Sequence, residues 1–338
     1  KISNKTLGES NAIFIIAEAG DNHLGSISVA KEMCLQAKLA GADAVKFQHH
    51  LVDEEMLNNK IMSDNFEEPL YDFLKKNALN IDQHLILKEF CDAIGIIYMC
   101  TPFSYAAALE LDTIGIDCFK IGSGEMTDIP SLLKIAELGH PMIISTGMST
   151  FSEIDRTYNA MQQSGVPLIL TNCLSEYPPK YEDVNVDVIT EMKNRYPNAL
   201  IGHSDHTPDI YTSLAATMLY PVLIEKHVIL DKRSPGPDQS VSLDFKELAQ
   251  LVDGVKKIQA SRGSEKVVHE KEEKIREWAF RSCVTTQTIR KGEKLSYLNV
   301  WTKRPGTGIP SHQLEELIGR VALDDIQKDT LIKWENLA

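Results

Sequence analysis

Several things are missing from this 338-residue chain, and each absence narrows what it can be. The six cysteines, Cys34, Cys91, Cys100, Cys118, Cys173 and Cys283, form no CxxC pair and no regular framework. That spacing excludes a disulfide scaffold and fits reduced, buried thiols. No apolar run is long enough to span a bilayer, and Lys1-Ile2-Ser3-Asn4-Lys5 leads into no signal-like stretch. An excess of basic residues is absent too. The formal net charge is −13, which argues against a general phosphate-backbone binder but leaves room for a local basic pocket. The expectation is a soluble, cytoplasmic protein that takes neither nucleic acid nor membrane as partner.

What is present is an ordinary globular composition, 43% hydrophobic and 25% charged, in a chain long enough for one large domain and a small one. Short β-rich runs alternate with helical patterns: Ile13–Glu18, Ala44–Gln48, Ile96–Cys100, Cys118–Gly122, Pro141–Thr146, Pro167–Cys173, Ala199–Ser204 and Val222–His227. Between them lie helix-like segments such as Ser28–Ala40, Gln83–Ala93, Ser104–Ile114, Ile129–Leu138, Ser152–Ser164 and Val186–Arg195. Eight nearly continuous apolar strands alternating with helices predict an α/β fold with parallel pairing, a closed (β/α)₈ TIM barrel. The competing open doubly wound sheet normally shows a glycine-rich turn after its first strand. Here that position reads Glu18-Ala19-Gly20-Asp21-Asn22-His23.

The strands end in polar groups: Glu18 with Asn22 and His23, Lys46 with Gln48, Thr101, Lys120 with Ser123 and Glu125, Ser145 with Thr146, Ser175 with Tyr177, Ser204 with His206, Glu225 with His227. A barrel brings such ends to one mouth. His206 and His227, on neighbouring strands, make a pair of neutral imidazoles suited to a divalent metal with open positions. A bland alternative is that either is a hydrogen-bonded strand-end histidine. Lys46 and Lys120, at the ends of apolar strands, must meet an anion or reach water. With Thr101, Ser123, Ser145, Ser175 and Ser204 they would hold a phosphate or carboxylate. The alternative for the hydroxyls is capping of the following helices. A Schiff-base aldolase is the rival chemistry, but Leu168-Ile169-Leu170-Thr171-Asn172-Cys173 carries no lysine where such aldolases commonly use one.

From about His50 to Asp82 runs an acidic connection, read as loop-rich and as a lid or dimer contact. Beyond the helical pattern at Glu247–Arg262, the division is a catalytic barrel over 1–262, a charged linker over 263–278 and a small β-rich domain over 279–338. In that last part Ile289 matches Ile326, Lys291 matches Lys328, Leu295 matches Ile332 and Asn299 matches Asn336 at a constant offset, which predicts internal two-fold symmetry.

Ala17-Glu18-Ala19-Gly20-Asp21-Asn22-His23-Leu24-Gly25, Lys46-Phe47-Gln48, Cys100-Thr101-Pro102-Phe103-Ser104, Phe119-Lys120-Ile121-Gly122-Ser123-Gly124-Glu125, Ser145-Thr146-Gly147-Met148, Ser204-Asp205-His206-Thr207, Glu225-Lys226-His227 and Pro235-Gly236-Pro237-Asp238 together resemble the sialic acid synthase family. The tail from about Ala279, with Lys303-Arg304-Pro305-Gly306-Thr307-Gly308, resembles that family's antifreeze-like SAF domain. The resemblance implies condensation of phosphoenolpyruvate with an N-acetylated hexosamine, by default N-acetylmannosamine, to a nine-carbon 2-keto-3-deoxy acid and phosphate. It implies Mn²⁺ or Mg²⁺ on His206 and His227, and phosphoenolpyruvate on Lys46, Thr101, Lys120, Ser123, Ser145, Ser175 and Ser204. Glu18, Gln48, Tyr177 and Asp238 would meet the sugar or metal-bound water, with Glu18, Asp238 and the proton-handling Glu125 as catalytic groups. Arg304 would reach the sugar's acetamido group from the partner in a domain-swapped homodimer. Leu174-Ser175-Glu176-Tyr177-Pro178 departs from members with Asn before Tyr-Pro, and His49-His50 departs from relatives with threonine. Both bear on the sugar. The alternatives are a diacetamido-trideoxyhexose of the legionaminic or pseudaminic type, a phosphorylated aldose, and a non-catalytic carbohydrate-binding barrel.

Overall fold

The computed structural model describes residues 1–60, 62 and 68–338. They form two compact units, Lys1–Arg262 and Gly263–Ala338. The first runs β1 (Phe14–Glu18), α1 (Ile27–Ala40), β2 (Ala44–His49), α2 (Val52–Glu55), α3 (Leu70–Asn77), α4 (Ile81–Ile94), β3 (Ile97–Pro102), α5 (Tyr105–Thr113), β4 (Phe119–Ile121), α6 (Ile129–Ala136), β5 (Met142–Ser145), α7 (Phe151–Met161), β6 (Leu168–Cys173), α8 (Val188–Arg195), β7 (Leu200–Asp205), α9 (Tyr211–Thr217), β8 (Leu223–His227) and α10 (Phe245–Ala260). The eight strands pair in parallel in sequence order, and β8 returns to β1 to close the barrel. This is the predicted TIM barrel.

Strand alternation sorts every residue into one of two faces. Ile15, Ala17, Val45, Phe47, Tyr98, Cys100, Phe119, Ile121, Met142, Ile144, Leu168 and Leu170 are buried against the surrounding helices. The other parity fills the barrel: Phe14, Ile16, Ala44, Met99, Cys118, Ile143, Ile169 and Leu223, with Ile2 packed among them. Burying an Ile, Leu or Phe contributes about 1.5–3 kcal/mol, so both faces drive closure, which explains the continuously apolar strands. Along the inward parity the side chains turn polar only at the C-terminal ends. Stability sits at one end of the barrel and chemistry at the other.

Helix starts follow their caps. Ser26, Ser104 and Asp128 accept from backbone N–H groups of the first turn, and Asn80–Gln83, Thr150–Glu153 and Asp244–Glu247 form capping boxes. The connection after β2 is richer in helix than its acidic sequence suggests. The apolar spacing of Leu70, Phe73 and Leu74 supports α3, and Asp53 of α2 accepts from Tyr71 and Lys75 at 2.5 Å each. Positions 61 and 63–67, part of the segment read as a lid or dimer contact, lie outside the described residues.

In the second unit, the segment expected to be linker is helical over its latter part, α11 (Glu270–Ala279), and no residue of that helix is buried. Then come β9 (Ser282–Thr285), β10 (Val300–Lys303) and α12 (Leu314–Leu317), with β9 and β10 antiparallel. The internal repeat is a real two-fold. Ile289 and Ile326 bridge each other with reciprocal hydrogen bonds of 2.9 and 2.8 Å. The bridge Val284–Leu331 is matched by Lys294–Val321, and the pair Thr285–Val300 by Ala322–Leu337. The matched Leu295 and Ile332 are both in the core.

Candidate active site

The inward, C-terminal ends of the strands open into a cavity of about 800 Å³. Of the residues singled out from sequence, Glu18, Lys46, Gln48, Thr101, Lys120, Ser123, Glu125, Ser145, Ser175, Tyr177, Ser204, His206, His227 and Asp238 all line it. Arg304 lies in the second unit, where its Nε donates to Ala279 O at 3.1 Å and its guanidinium lies over Trp278.

At the centre sits a buried carboxylate that the sequence reading left without a role. Glu225 Oε1 takes Lys120 Nζ at 3.0 Å, lies 3.7 Å from Lys46 Nζ and accepts from Ser204 Oγ at 3.3 Å. Burial opposes its charge, but Lys120 and Lys46 outweigh this and hold its carboxyl at about 2. Its Oε2 has no hydrogen-bond partner. Lys46 also meets Glu18 at 2.7 Å and Thr101 Oγ1 at 3.0 Å. Burial raises the Glu18 carboxyl against the pull of Lys46, and Glu225 adds repulsion. Lys120 donates to Ser145 Oγ at 2.9 Å, and Ser145 shares a hydrogen bond with Thr171. The signal for Glu225 and Thr171 was available: each shares the inward parity of a residue that was chosen.

Neither Ser145 nor Ser204 caps a helix: the N-cap of α7 is Thr150 and that of α9 is Ile210. Ser123 accepts from the Gly147 backbone N–H at 3.1 Å. A Cβ at Gly147 would stand 2.2 Å from Ser175 Oγ and 2.7 Å from Ser123 Oγ, so only glycine leaves this cradle of hydroxyls open. Two lysines with converging hydroxyls and a bare backbone are a donor set suited to an anion.

Across the cavity the His206 and His227 ring centroids are 5.2 Å apart. His206 Nδ1 is 2.7 Å from Leu174 O. In the neutral ring, donating its proton there leaves Nε2 with a lone pair, 3.1 Å from Tyr177 OH; burial opposes the ring's charge, but Cys173, Leu174 O and Asp238 outweigh it and raise its pKa. His227 Nδ1 lies 3.3 Å from Asp238 Oδ2 without hydrogen-bond geometry. Burial opposes ionisation of Asp238, but His227 and His206 outweigh it and keep its carboxyl low. Two imidazoles backed by a carbonyl and a carboxylate fit a divalent cation that keeps open positions. Among the described residues no group of three or more His, Cys, Asp or Glu is arranged to hold a metal.

Other titratable and polar groups lie in or beside the cavity. Burial raises the Glu125 carboxyl to about 7, and its Oε2 has no hydrogen-bond partner. Cys173, missed from sequence, lies 3.8 Å from His206 Nδ1; burial raises its thiol, but His206 outweighs that and brings it to about 7. Asn22 does not reach the cavity. It donates to Val228 O and Ser242 Oγ and accepts from Asp238 N, which fixes the loop bearing Asp238. His23 is buried beside Phe47, its Nδ1 accepting from Gly25 N. Gly20, at φ +50°, leaves room for Asp238 Oδ2, which would stand 2.8 Å from a Cβ at that position.

Residues 33–267 match the NeuB family and residues 280–338 match the SAF domain. The N,N'-diacetyllegionaminic acid synthase of Campylobacter jejuni is 34% identical over 94% of this chain and 98% of its own. Human N-acetylneuraminate-9-phosphate synthase is 32% identical over 97% of this chain and 94% of its own. Among solved structures, the N-acetylneuraminic acid synthetase of Leptospira borgpetersenii superposes with a TM-score of 0.74 at 32% identity, covering 81% of this chain and 94% of that one. The chain belongs to the NeuB family, the sialic and nonulosonic acid synthases, and carries a SAF domain.

Proposed function

We propose that the protein condenses phosphoenolpyruvate with an unphosphorylated, N-acetylated hexosamine aldehyde to give a nine-carbon 2-keto-3-deoxy acid and inorganic phosphate. The observation that carries this reading is that the anion cradle and the imidazole pair open into one cavity. Two reactants held there gain the advantage of proximity.

Lys46 and Lys120 balance the charges of phosphoenolpyruvate, while Thr101, Ser123, Ser145, Ser175 and Ser204 orient its oxygens. Glu225 ties the two ammonium groups together. His206 and His227 would hold a divalent cation, manganese or magnesium, whose chemistry when bound is to polarise the aldehyde carbonyl and acidify water. In the reaction, C3 of phosphoenolpyruvate bonds to the aldehyde carbon and the aldehyde oxygen gains a proton. Water adds at C2, and phosphate leaves with the C2–O bond electrons. Glu125, titrating near 7, exchanges the proton, and Glu18, Gln48, Tyr177 and Asp238 position the sugar and water. Arg304 of a partner subunit would bind the acetamido group.

The acceptor is unphosphorylated because the cavity already holds more carboxylates than ammonium groups. Glu18, Asp21, Glu55, Glu125, Glu176, Glu225 and Asp238 line it, against Lys46 and Lys120. A second phosphate would meet like charge. The test follows phosphate release from phosphoenolpyruvate by chelator-treated protein across N-acetylated hexoses and their 6-phosphates, with and without Mn²⁺. Metal-dependent release with an unphosphorylated sugar is expected. Release only with a 6-phosphate, or none with any sugar, would overturn the reading.

A further inference from the structure

His50 lies one residue beyond β2, and no role above uses it. Its ring is buried and stacked on Phe103, the centroids 4.2 Å apart. Nδ1 lies 3.1 and 3.0 Å from the two oxygens of Glu55. Nε2 lies 3.2 Å from Gln48 Oε1 and 3.5 Å from Asp21 Oδ2. A neutral imidazole carries one nitrogen lone pair. In either tautomer that lone pair would face a carboxylate, Glu55 from Nδ1 or Asp21 from Nε2. Only a ring protonated on both nitrogens fits this pocket. The side chains of His50, Asp21 and Glu55 are 3%, 6% and 4% exposed, so the three charges are withdrawn from water and retained because they are paired. Burial works against the ring's charge, but Asp21 and Glu55 outweigh it and hold the imidazole up to about 10.

The charged ring decides which way round the Gln48 amide sits. An amide offers an oxygen on one side and two N–H groups on the other. Facing a donor at His50 Nε2, Gln48 turns Oε1 toward it and Nε2 toward Glu18, where it donates to Oε1 at 3.0 Å. The reverse orientation would set the amide oxygen against the Glu18 carboxylate and its N–H groups against the His50 N–H. Both contacts would repel. Glu18 is ion-paired through its other oxygen to Lys46 at 2.7 Å, so Gln48 closes on a carboxylate already held in place. One N–H of Gln48 goes to Glu18, the second remains, and Gln48 lines the cavity. So turned, Gln48 meets a bound molecule as a donor.

We propose that His50, charged and clamped between Asp21 and Glu55, is a positioning residue that locks the Gln48 amide, so that Gln48 donates both to Glu18 and to an oxygen of the acceptor sugar. The sugar part rests on the synthase reading; the lock does not. Other titratable groups stand near the ring. At Glu125 burial raises the carboxyl and the His50 charge partly offsets this. At His23, His49 and His84 burial disfavours a charged ring, and His50 adds to that. His50 is the charged member of a group of four imidazoles.

Histidine-selective ¹⁵N labelling of the full chain reads the charge, with the His50 signals assigned by their loss in His50→Gln. At pH 8, where an ordinary histidine is neutral, both His50 ring nitrogens are expected to be protonated, while His23, His49 and His84 each keep a lone pair. A lone pair on His50 at that pH would overturn the proposal. Kinetics read the lock. His50→Gln keeps polar bulk but removes the charge and donates from one atom only. It is expected to lower kcat/KM for the sugar by about 10-fold or more, the scale of one hydrogen bond to a charged group, and to leave the phosphoenolpyruvate KM unchanged. Added to Gln48→Met, the same substitution is expected to cost less than about two-fold more, because its effect runs through Gln48. Losses that multiply in the double variant would overturn the proposal, since His50 would then act on the pocket by another route. If no sugar reacts at all, the synthase reading falls and takes the sugar part with it. The ring spectrum then decides the lock: two protonated nitrogens support it, and a lone pair ends it.

Discussion

Two buried lysine–carboxylate clusters stand back to back in this barrel, built from residues adjacent in sequence. Glu225 faces the cavity, where it meets Lys120 and Lys46 and leaves one oxygen free. Its neighbour Lys226 faces the helices, where it lies 3.3 Å from Asp205 Oδ2 and donates to Thr207. Asp205 accepts further from Thr207 N, Thr207 Oγ1, Thr212 and Ser213. The rear cluster is closed and saturated, a joint between β7, β8 and α9. The front cluster opens to a cavity with its ammonium groups aimed at incoming charge. The same residue types serve fold or chemistry according to strand parity alone.

The largest expected effect breaks the front cluster. Lys120→Met should lower kcat/KM for phosphoenolpyruvate by about 100-fold or more, the scale of a lost electrostatic stabiliser. It should cost less than about 2 kcal/mol of stability, because Glu225 keeps Lys46 and an accessible cavity. Asp205→Ala should do the reverse. Stranding Lys226 should cost about 3–5 kcal/mol, read by denaturant unfolding, with the turnover of folded protein changing far less. If Asp205→Ala left stability intact and abolished turnover, the distinction between the clusters would collapse.

The pH dependence of stability separates the rear cluster's Asp205 from Glu125 of the cavity by sign. At Asp205 burial opposes ionisation, but Lys226 and the hydrogen bonds outweigh it and hold its carboxyl well below the unfolded value. Its stabilisation is therefore present above about pH 4 and is lost as pH falls. Glu125 runs the other way: its carboxyl is raised to about 7, so the folded state binds the extra proton. That contribution is full below about pH 4.5 and is lost as pH rises towards 7. Glu125→Gln should remove this slope, worth on the order of 2 kcal/mol, and calorimetry at pH 5 and 7 would show it. The smallest effect expected is from Ser175→Asn, which introduces the residue that the resemblance to the family would lead one to expect there. It should change the phosphoenolpyruvate KM by less than about tenfold, since Ser175 is one hydroxyl among several.

Much of this was legible in sequence. Apolar strands with polar C-terminal ends gave the barrel, most of the residues chosen from sequence line its cavity, and the matched Ile289 and Ile326 gave the two-fold. What was not legible depended on direction rather than identity. Asp205 and Lys226 sit inside the same motifs as His206 and His227, and a contiguous match does not say which side chains turn away. Asn22 and His23 likewise follow Glu18 but serve the Asp238 loop and the outer wall. The connection carrying α2 and α3 hid its helices because α2 is four residues long and is held by His50 and Glu55 rather than by its own periodicity.

The most direct measurement of the central claim is the shift in unfolding temperature when phosphoenolpyruvate is added with Mn²⁺, for the unaltered protein and for Lys120→Met. At about 100 times Kd a ligand adds about 2.7 kcal/mol, some 5–10 °C for a unit of this size. The expected result is that rise in the unaltered protein and little or none in Lys120→Met, whose unliganded transition stays close to the original. An equal rise in both, or none in the unaltered protein, would contradict an anion site built on the front cluster.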